Sequence, residues 1–207
     1  WTRVQLKERP GKAVLPAVSV VDMGKEFSGG HRSMFSRELQ AALAETLEAR
    51  HKAVLLLNQR GFASFVLCRE CGFVPQCPDC AVSLTYHERG NELVCHHCDY
   101  HELMPATCPK CGSPYLKKFG AGTERVEAAL RGILPPDMPL IRMDADTVSA
   151  TNPHEKILSR FQQEKIPVLI GTQMVTKGLN FPNVTLVGVL DGDSSLYVDD
   201  FRASETT

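Results

Sequence analysis

Eight cysteines lie between Cys68 and Cys111, and the sequence contains no other cysteine. They form four Cys-x-x-Cys pairs, which are Cys68/Cys71, Cys77/Cys80, Cys95/Cys98 and Cys108/Cys111. Two thiolates at this spacing on a tight turn can bind one metal ion, and two such pairs complete a tetrahedral zinc site. The four pairs therefore predict two structural zinc sites that keep no open position for a catalytic water.

Cysteines can also form disulfides or carry out redox chemistry, and both alternatives fit less well. A disulfide framework suits a small secreted chain, whereas these cysteines are confined to one stretch of a longer one. Redox chemistry does not need four pairs at this spacing. With eight thiolates available, the histidines of the same stretch are expected to lie at the surface or to support the ligands; they are His87, His96, His97 and His101.

The distances between the pairs along the chain indicate which of them share an ion. Five residues separate the first pair from the second, which is tight for two turns on one metal. Fourteen residues separate the second pair from the third, as in a zinc ribbon built on a short hairpin. We therefore expect nested pairing, with crossed pairing as the alternative. The inner site would consist of Cys77, Cys80, Cys95 and Cys98, and the outer site of Cys68, Cys71, Cys108 and Cys111.

The elements on either side of the cysteines alternate between strands and helices. An unbroken apolar run predicts a strand at 53–58 that is buried on both faces. Mainly apolar segments predict further strands at 139–144, 167–171 and 184–190, and a shorter one suggests a strand at 17–21. Apolar stripes predict helices that start after Ser33 as N-cap, after Gly122, and at Asn152-Pro153; the stripe of the second helix includes Ile133. Such alternation predicts an α/β fold with a parallel sheet.

The composition is that of a globular protein, with 43% hydrophobic and 23% charged residues and a formal net charge of −1. Eight thiolates would add eight negative charges and two Zn²⁺ would return four positive ones, which gives about −5. Contacts with nucleic acid must then be local.

No apolar run approaches the length of a membrane span. Because the chain begins at Trp1 without a methionine or a signal peptide, we expect it to be an excised fragment of a longer protein.

Three short segments could contact phosphate groups or their metal ion, although the chain has no Walker A loop. Gly120-Ala121-Gly122-Thr123 precedes a predicted helix, whose first amides can bind phosphate, although an ordinary turn between a strand and a helix explains this segment equally well. Thr172, Thr176 and Lys177 follow a predicted strand and supply hydroxyl donors and a cation. Asp191 and Asp193 could bind Mg²⁺, but a solvated loop explains them equally well.

Taken together, these segments resemble the PriA family of superfamily 2 DNA helicases. The matching segments are 55–62, the four cysteine pairs in order with Cys95-His96-His97-Cys98-Asp99 among them, 120–124, 142–147 and 170–182. The resemblance covers nearly the whole chain. It fails at Thr206, where the family continues with arginine.

The resemblance implies a RecA-like second helicase lobe with motif IV in 55–62 and motif V in 170–182. The implied domains are an inter-lobe connector at 1–33, the lobe at 34–67 and 113–207, truncated before motif VI, and a double zinc-binding insertion at 68–112. The nucleotide contacts would be Gly171, Thr172, Lys177 and Gly178. The DNA contacts would be Gly122, Thr123, Thr172 and Thr176.

The resemblance also implies an activity for the full-length protein, an ATP-dependent 3′–5′ DNA helicase of the bacterial cytoplasm and nucleoid. Such a helicase remodels stalled replication forks and loads the primosome. This chain would bind two Zn²⁺, whereas ATP and Mg²⁺ would bind only the full-length protein, so the chain alone has no catalytic residue and should not hydrolyse ATP. The implied partners are branched fork DNA, single-stranded DNA, primosome proteins and single-stranded-DNA-binding protein, with no membrane. The alternative is a non-enzymatic zinc-ribbon scaffold that binds nucleic acid or protein.

Overall fold

A computed structural model of the chain describes residues 15–57, 65–87, 90–118, 122–144, 147–148, 154–163, 165, 167–172, 175 and 181–193. The helices in these ranges are α1 Met23–Ser28, α2 Arg37–Glu48, α3 Thr123–Arg131 and α4 His154–Gln163. The strands are β1 Lys52–Leu57, β2 Val66–Cys68, β3 Thr85–His87, β4 Glu92–Val94, β5 His101–Leu103, β6 Leu116–Lys118, β7 Leu140–Met143, β8 Val168–Gly171 and β9 Val184–Leu190.

Four of the strands form a parallel sheet in the order β7-β8-β1-β9. Successive residues of a strand point to opposite faces, so Leu55 and Val54 of β1 enter different apolar clusters. Leu55 packs with residues of α2 and α3, whereas Val54 packs with residues of α4. Because helices cover both faces, β1 and β8 are apolar without alternation. The predicted α/β fold with a parallel sheet is confirmed.

The helix α4 shows how the sequence places an element on this sheet. Its predicted apolar stripe, Ile157, Leu158 and Phe161, is buried against the sheet. Lys52 at the start of β1 reaches the end of this helix, where its Nζ donates to the carbonyl oxygens of Phe161 and, at 3.3 Å, Gln162. A cation at a helix carboxyl end is stabilising because the last carbonyl groups there lack partners within the helix.

The start of α2 differs from the prediction. Ser36, not Ser33, is the N-cap, because its hydroxyl accepts a hydrogen bond from the amide of Leu39 at 3.1 Å. The hydroxyl of Ser33 instead accepts a hydrogen bond from the amide of Phe35 at 3.1 Å and so stabilises the turn that precedes α2. Both serines are suitable caps, and only the backbone path decides between them.

Two further predictions are wrong in detail. Residues 17–21 form no strand within the described part of the chain, and Val18 and Val20 are 82% and 92% exposed. An apolar run becomes a strand only where a neighbouring strand pairs with it. Ile133 is also exposed rather than part of a helical stripe, since α3 ends at Arg131 with Gly132 as its C-cap.

The cysteine-rich stretch forms two small antiparallel sheets between β1 and α3. At its base β2 pairs with β6, which brings Cys68 opposite Leu116 where the chain enters and leaves. Further along, β3, β4 and β5 form a three-stranded ribbon. The ribbon has its own apolar cluster, in which Leu84 and Leu93 are fully buried. The predicted domain boundaries stay predictions, but this stretch has a core distinct from those of the parallel sheet.

Candidate metal centres and the edge of the sheet

Each Cys-x-x-Cys pair folds into the same hydrogen-bonded turn. The amide of the first cysteine donates to a carbonyl oxygen five residues ahead, and its own carbonyl accepts the amide four residues ahead, with distances of 2.7–2.9 Å in all four turns. The residue four positions after each first cysteine has a positive φ between 56° and 74°. These residues are Gly72, Ala81, Asp99 and Gly112. The repeated turn places both thiols of a pair where one ion can reach them.

The structure groups the four turns in the nested arrangement rather than the crossed one. All sulfur atoms of the outer site lie within 4.8 Å of one another, and those of the inner site do the same. Cys68 and Cys111 are 3.6 Å apart between their Sγ atoms, and Cys77 and Cys98 are 3.5 Å apart. These distances are far too long for a disulfide bond, which needs about 2.0 Å. A tetrahedral zinc ion with Zn–S bonds of about 2.3 Å separates its sulfur ligands by roughly 3.8 Å, so both clusters fit zinc.

Burial and backbone amides set the acidity of the thiols in opposite directions. Burial raises the pKa of Cys95, but hydrogen bonds from the amides of His97 and Cys98 more than offset it and lower that pKa to about 7. A hydrogen bond with Cys98 and burial raise the pKa of Cys80 to about 12. Four thiolates therefore cannot all ionise near neutral pH unless a cation compensates their charge.

The outer site shows the same opposition. Burial raises the pKa of Cys108, but the amides of Cys111 and Lys110 lower it to about 7. The amide of Ser113 favours the thiolate of Cys111, yet burial and hydrogen bonds with the other thiols, Cys71 first among them, raise its pKa to about 12. The electrostatics of both clusters thus favour a bound cation.

The outer site is attached to α1 by aromatic and cationic side chains. Phe27 of α1 meets the ring of Tyr115 edge to face, with centroids 5.1 Å apart. Arg69, which lies between Cys68 and Cys71, has its guanidinium 4.8 Å from the centroid of Phe27 and donates to the carbonyl oxygen of Ser33 at 3.1 Å. Arg32 covers Tyr115 at 4.5 Å. Sequence reasoning missed this contact, because residues so far apart in the chain leave no periodic pattern.

The inner site is supported instead by the core of the ribbon. Cys77 and Cys95 are buried in the apolar cluster that includes Leu84 and Leu93. Tyr86 belongs to the same cluster, and its hydroxyl donates to Asn91 at 3.1 Å. This bond spans the hairpin between β3 and β4, so the ribbon holds the two inner turns at a fixed separation.

Four of the predicted phosphate contacts lie at one edge of the parallel sheet. Gly171 ends β8 opposite Met143 of β7, and the amide of Thr172 donates to the carbonyl oxygen of Met143 at 3.4 Å. Gly122 is the N-cap of α3, and Thr123 is its first residue. The remaining predicted contacts, Thr176, Lys177 and Gly178, lie outside the described residues, as do 58–62 of the predicted motif IV.

Asp144, which follows β7, connects the end of that strand to the start of α3. Its carboxylate accepts a hydrogen bond from the hydroxyl of Thr123, and its Oδ2 forms an ion pair with Nε of Arg142 at 2.9 Å. Burial raises the pKa of Asp144, but the bonds from Thr123 and Thr147 and the charge of Arg142 outweigh it, so this pKa lies below its ordinary value. The hydroxyl of Thr123 is therefore committed to Asp144. The sequence held no signal for this contact, which joins residues 21 positions apart.

Comparison with known proteins defines the class of this fold and site. The family model described as the PriA DNA helicase Cys-rich region matches residues 77–102, and that of the helicase conserved C-terminal domain matches residues 122–204. The chain therefore combines a helicase C-terminal domain with a zinc ribbon of the PriA type. In the described part of the chain, no helix is both long and apolar enough to span a membrane.

Curated relatives identify the family. The chain is 52% identical to the replication restart protein PriA of Bacillus subtilis over 204 residues and 46% identical to that of Synechocystis over 206, which covers 99% and 98% of this chain. Identity to the Haemophilus influenzae protein is 40% over 205 residues. The chain spans only 25–28% of the length of these relatives. It belongs to the PriA family, which confirms the resemblance found in the sequence.

Proposed function

We propose that the chain is the part of a replication restart helicase that supplies the second lobe and its zinc module. The full-length protein would be an ATP-dependent 3′–5′ DNA helicase that remodels stalled replication forks and loads the primosome. The observation that carries this proposal is the combination, in a sequence of the PriA family, of a parallel sheet with two nested four-cysteine clusters between β1 and α3.

Within this protein the two clusters would each hold one structural Zn²⁺. The sulfur separations and the raised pKa values of Cys80 and Cys111 support this assignment. A bound ion would crosslink the turns of a site and compensate the charge of its thiolates. The predicted domains follow the same division, with a connector at 1–33, the lobe at 34–67 and 113–207, and the zinc insertion at 68–112.

The edge formed by the ends of β7 and β8 and the start of α3 would face the DNA and the nucleotide. Its DNA contacts would be Gly122, Thr123, Thr172 and Thr176, and its nucleotide contacts would be Gly171, Thr172, Lys177 and Gly178. Parallel sheets bind ligands outside the carboxyl ends of their strands, which supports this placement. Since Asp144 engages the hydroxyl of Thr123, the backbone of α3 would supply the phosphate contact there.

The partners would be branched fork DNA, single-stranded DNA, primosome proteins and single-stranded-DNA-binding protein, in the cytoplasm at the bacterial nucleoid. The formal charge of −1, or about −5 with eight thiolates and two Zn²⁺, supports a lobe that provides only part of the DNA track, because a complete track needs a positively charged groove. Nucleotide and Mg²⁺ would bind the full-length protein and not this chain alone.

ATP hydrolysis tests the proposal. The isolated chain should show negligible hydrolysis, and the full-length protein should show hydrolysis that single-stranded DNA stimulates. In the full-length protein, Lys177→Ala should lower the stimulated rate at least tenfold, whereas the matched change Lys165→Ala should not. Hydrolysis by the isolated chain would contradict the proposal. A full-length protein that binds DNA without hydrolysing ATP would instead support the scaffold alternative.

A further inference from the structure

Two exposed histidines of the ribbon face each other outside the cysteine clusters. His87 ends β3, and His96 lies in the turn that begins at Cys95. Their Nε2 atoms are 3.3 Å apart, whereas their ring centroids are 5.2 Å apart and the ring planes meet at 65°. Because the nitrogens are much closer than the ring centres, the rings converge with their Nε2 atoms foremost.

This separation suits two imidazole ligands of one transition-metal ion. Metal–nitrogen bonds of about 2.0–2.1 Å place two neighbouring ligand nitrogens roughly 2.9 Å apart at the right angle that Ni²⁺ and Cu²⁺ prefer, and roughly 3.4 Å apart at the tetrahedral angle of Zn²⁺. The observed 3.3 Å lies within this range. Imidazole nitrogen is a ligand that Zn²⁺, Cu²⁺ and Ni²⁺ share. We propose that His87 and His96 form a third metal site of the chain, which takes one divalent transition-metal ion through their Nε2 atoms, with water at the remaining positions.

The backbone holds both ligands in place before any ion binds. His87 pairs with Glu92 across β3 and β4, and this ladder fixes its position on the ribbon. The turn around His96 is closed by two hydrogen bonds, from the amide of Cys95 to Tyr100 at 2.8 Å and from the amide of Asp99 to Cys95 at 2.9 Å. Two ligands held at the right separation bind an ion more tightly than either alone, because the second bond forms within one molecule.

The charges around the pair favour a cation. The carboxylate of Glu92, which lies opposite His87 in the ladder, is 3.3 Å from Nδ1 of His101 and adds negative charge on this side of the ribbon. A Zn²⁺ ion with four thiolates in the adjacent inner site would carry a net charge of about −2. This second contribution rests on the zinc binding proposed above, whereas the geometry of the histidine pair does not.

Calorimetric titration of Ni²⁺ into the zinc-loaded chain tests the site. The titration is carried out above neutral pH, where free imidazole is neutral. The unmodified chain should bind one equivalent of Ni²⁺ in addition to its two zinc ions. His87→Ala and His96→Ala should each weaken this binding at least tenfold, whereas His51→Ala, which removes an exposed histidine outside the pair, should leave it unchanged. His101→Ala removes the partner of Glu92 and should not weaken the binding.

Zinc content separates this inference from the assignment of the cysteine sites. His87→Ala should retain two zinc ions per chain by mass spectrometry, so a loss of Ni²⁺ binding in that variant cannot come from an unfolded ribbon. Electron paramagnetic resonance of bound Cu²⁺ should show two nitrogen ligands in the unmodified chain and at most one in His87→Ala. The proposal is overturned if the unmodified chain takes up no Ni²⁺, if His87→Ala binds it equally well, or if His101→Ala weakens binding as much as His87→Ala does.

Discussion

The parallel sheet and the cysteine-rich stretch are stabilised in different ways. The sheet buries apolar side chains on both faces, in two clusters that α2, α3 and α4 cover. The stretch from 65 to 118 has described strands of only three residues each and a single small cluster of its own. Strands this short do not form a stable sheet without further support. A hydrophobic pattern thus specifies one region, whereas the spacing of eight cysteines specifies the other.

Removal of the metal should produce the largest difference in stability between the two regions. Structural zinc contributes on the order of 10 kcal/mol or more to a small module, so a chelator should unfold residues 68–111 and leave the sheet largely intact. Hydrogen exchange should show lost protection in β3, β4 and β5 and retained protection in β1 and β8, with chelator already saturated with zinc as the control. Loss of all circular dichroism would show that the sheet also depends on the metal.

Single cysteine variants should distinguish the two metal centres from each other. Cys95→Ser and Cys108→Ser should each reduce the zinc content from two ions to one. Only Cys108→Ser should also increase hydrogen exchange in α1, because the outer site holds Arg69 against Phe27. Equal exchange of α1 in both variants would mean that the aromatic contact does not depend on the outer site.

The sheet should respond to a change in packing that leaves the metal centres unaffected. A Cβ atom at Gly171 would overlap Cγ2 of Val175, a buried side chain, and would lie 3.1 Å from the carbonyl oxygen of Met143. Overpacking of this kind typically costs about 1–3 kcal/mol. Gly171→Ala should therefore lower the melting temperature of the sheet with two zinc ions retained, whereas Gly192→Ala, whose Cβ would have one contact at 3.8 Å, should not. A reduced zinc content in Gly171→Ala would show that zinc binding depends on the packing of the sheet.

The edge of the sheet should also lose stability at low pH through Asp144. Its pKa is lowered in the folded state, so its contribution is complete above the unfolded value of about 3.9 and disappears as the pH falls through the folded value. Asp144→Asn should reduce the free energy of unfolding by about 1–3 kcal/mol near neutral pH. Urea denaturation should show this difference shrinking below about pH 4. Asp137→Asn, an exposed change in the same lobe, should show no such dependence, and neither variant should alter zinc content at neutral pH.

Much of this architecture could be predicted from local sequence, and the remainder depends on tertiary contacts. The strands β1, β8 and β9 match the predicted segments to within one residue at either end. In β1 and β8 the reason is that a strand buried on both faces needs an unbroken apolar run, whereas β9 lies at the end of the strand order and exposes Val187 and Val189. The spacing of the cysteines favours nested pairing and argues against pairing in sequence order, since short separations are sterically restrictive. Only the folded chain, which groups the sulfur atoms, decides between nested and crossed pairing. The contact of Phe27 with Arg69 and that of Thr123 with Asp144 could not be predicted, because each joins distant segments whose approach only the folded chain determines.

The smallest expected effect concerns the left-handed residue in each cysteine turn, where the two metal centres differ. Both described turns of the outer site use glycine at this position, Gly72 and Gly112, whereas the inner site uses Ala81 and Asp99. A Cβ at Gly72 would meet nothing within 4 Å, so Gly72→Ala should cost only the backbone penalty of about 1 kcal/mol. Ala81→Gly relieves that penalty but increases the entropy of the unfolded chain, for a net gain of a few tenths of a kcal/mol. Competition with a zinc chelator should therefore show affinity reduced about fivefold at the outer site of Gly72→Ala and slightly increased at the inner site of Ala81→Gly. Equal losses in both variants would mean that the side chain of Ala81, rather than its backbone conformation, determines the stability of the inner turn.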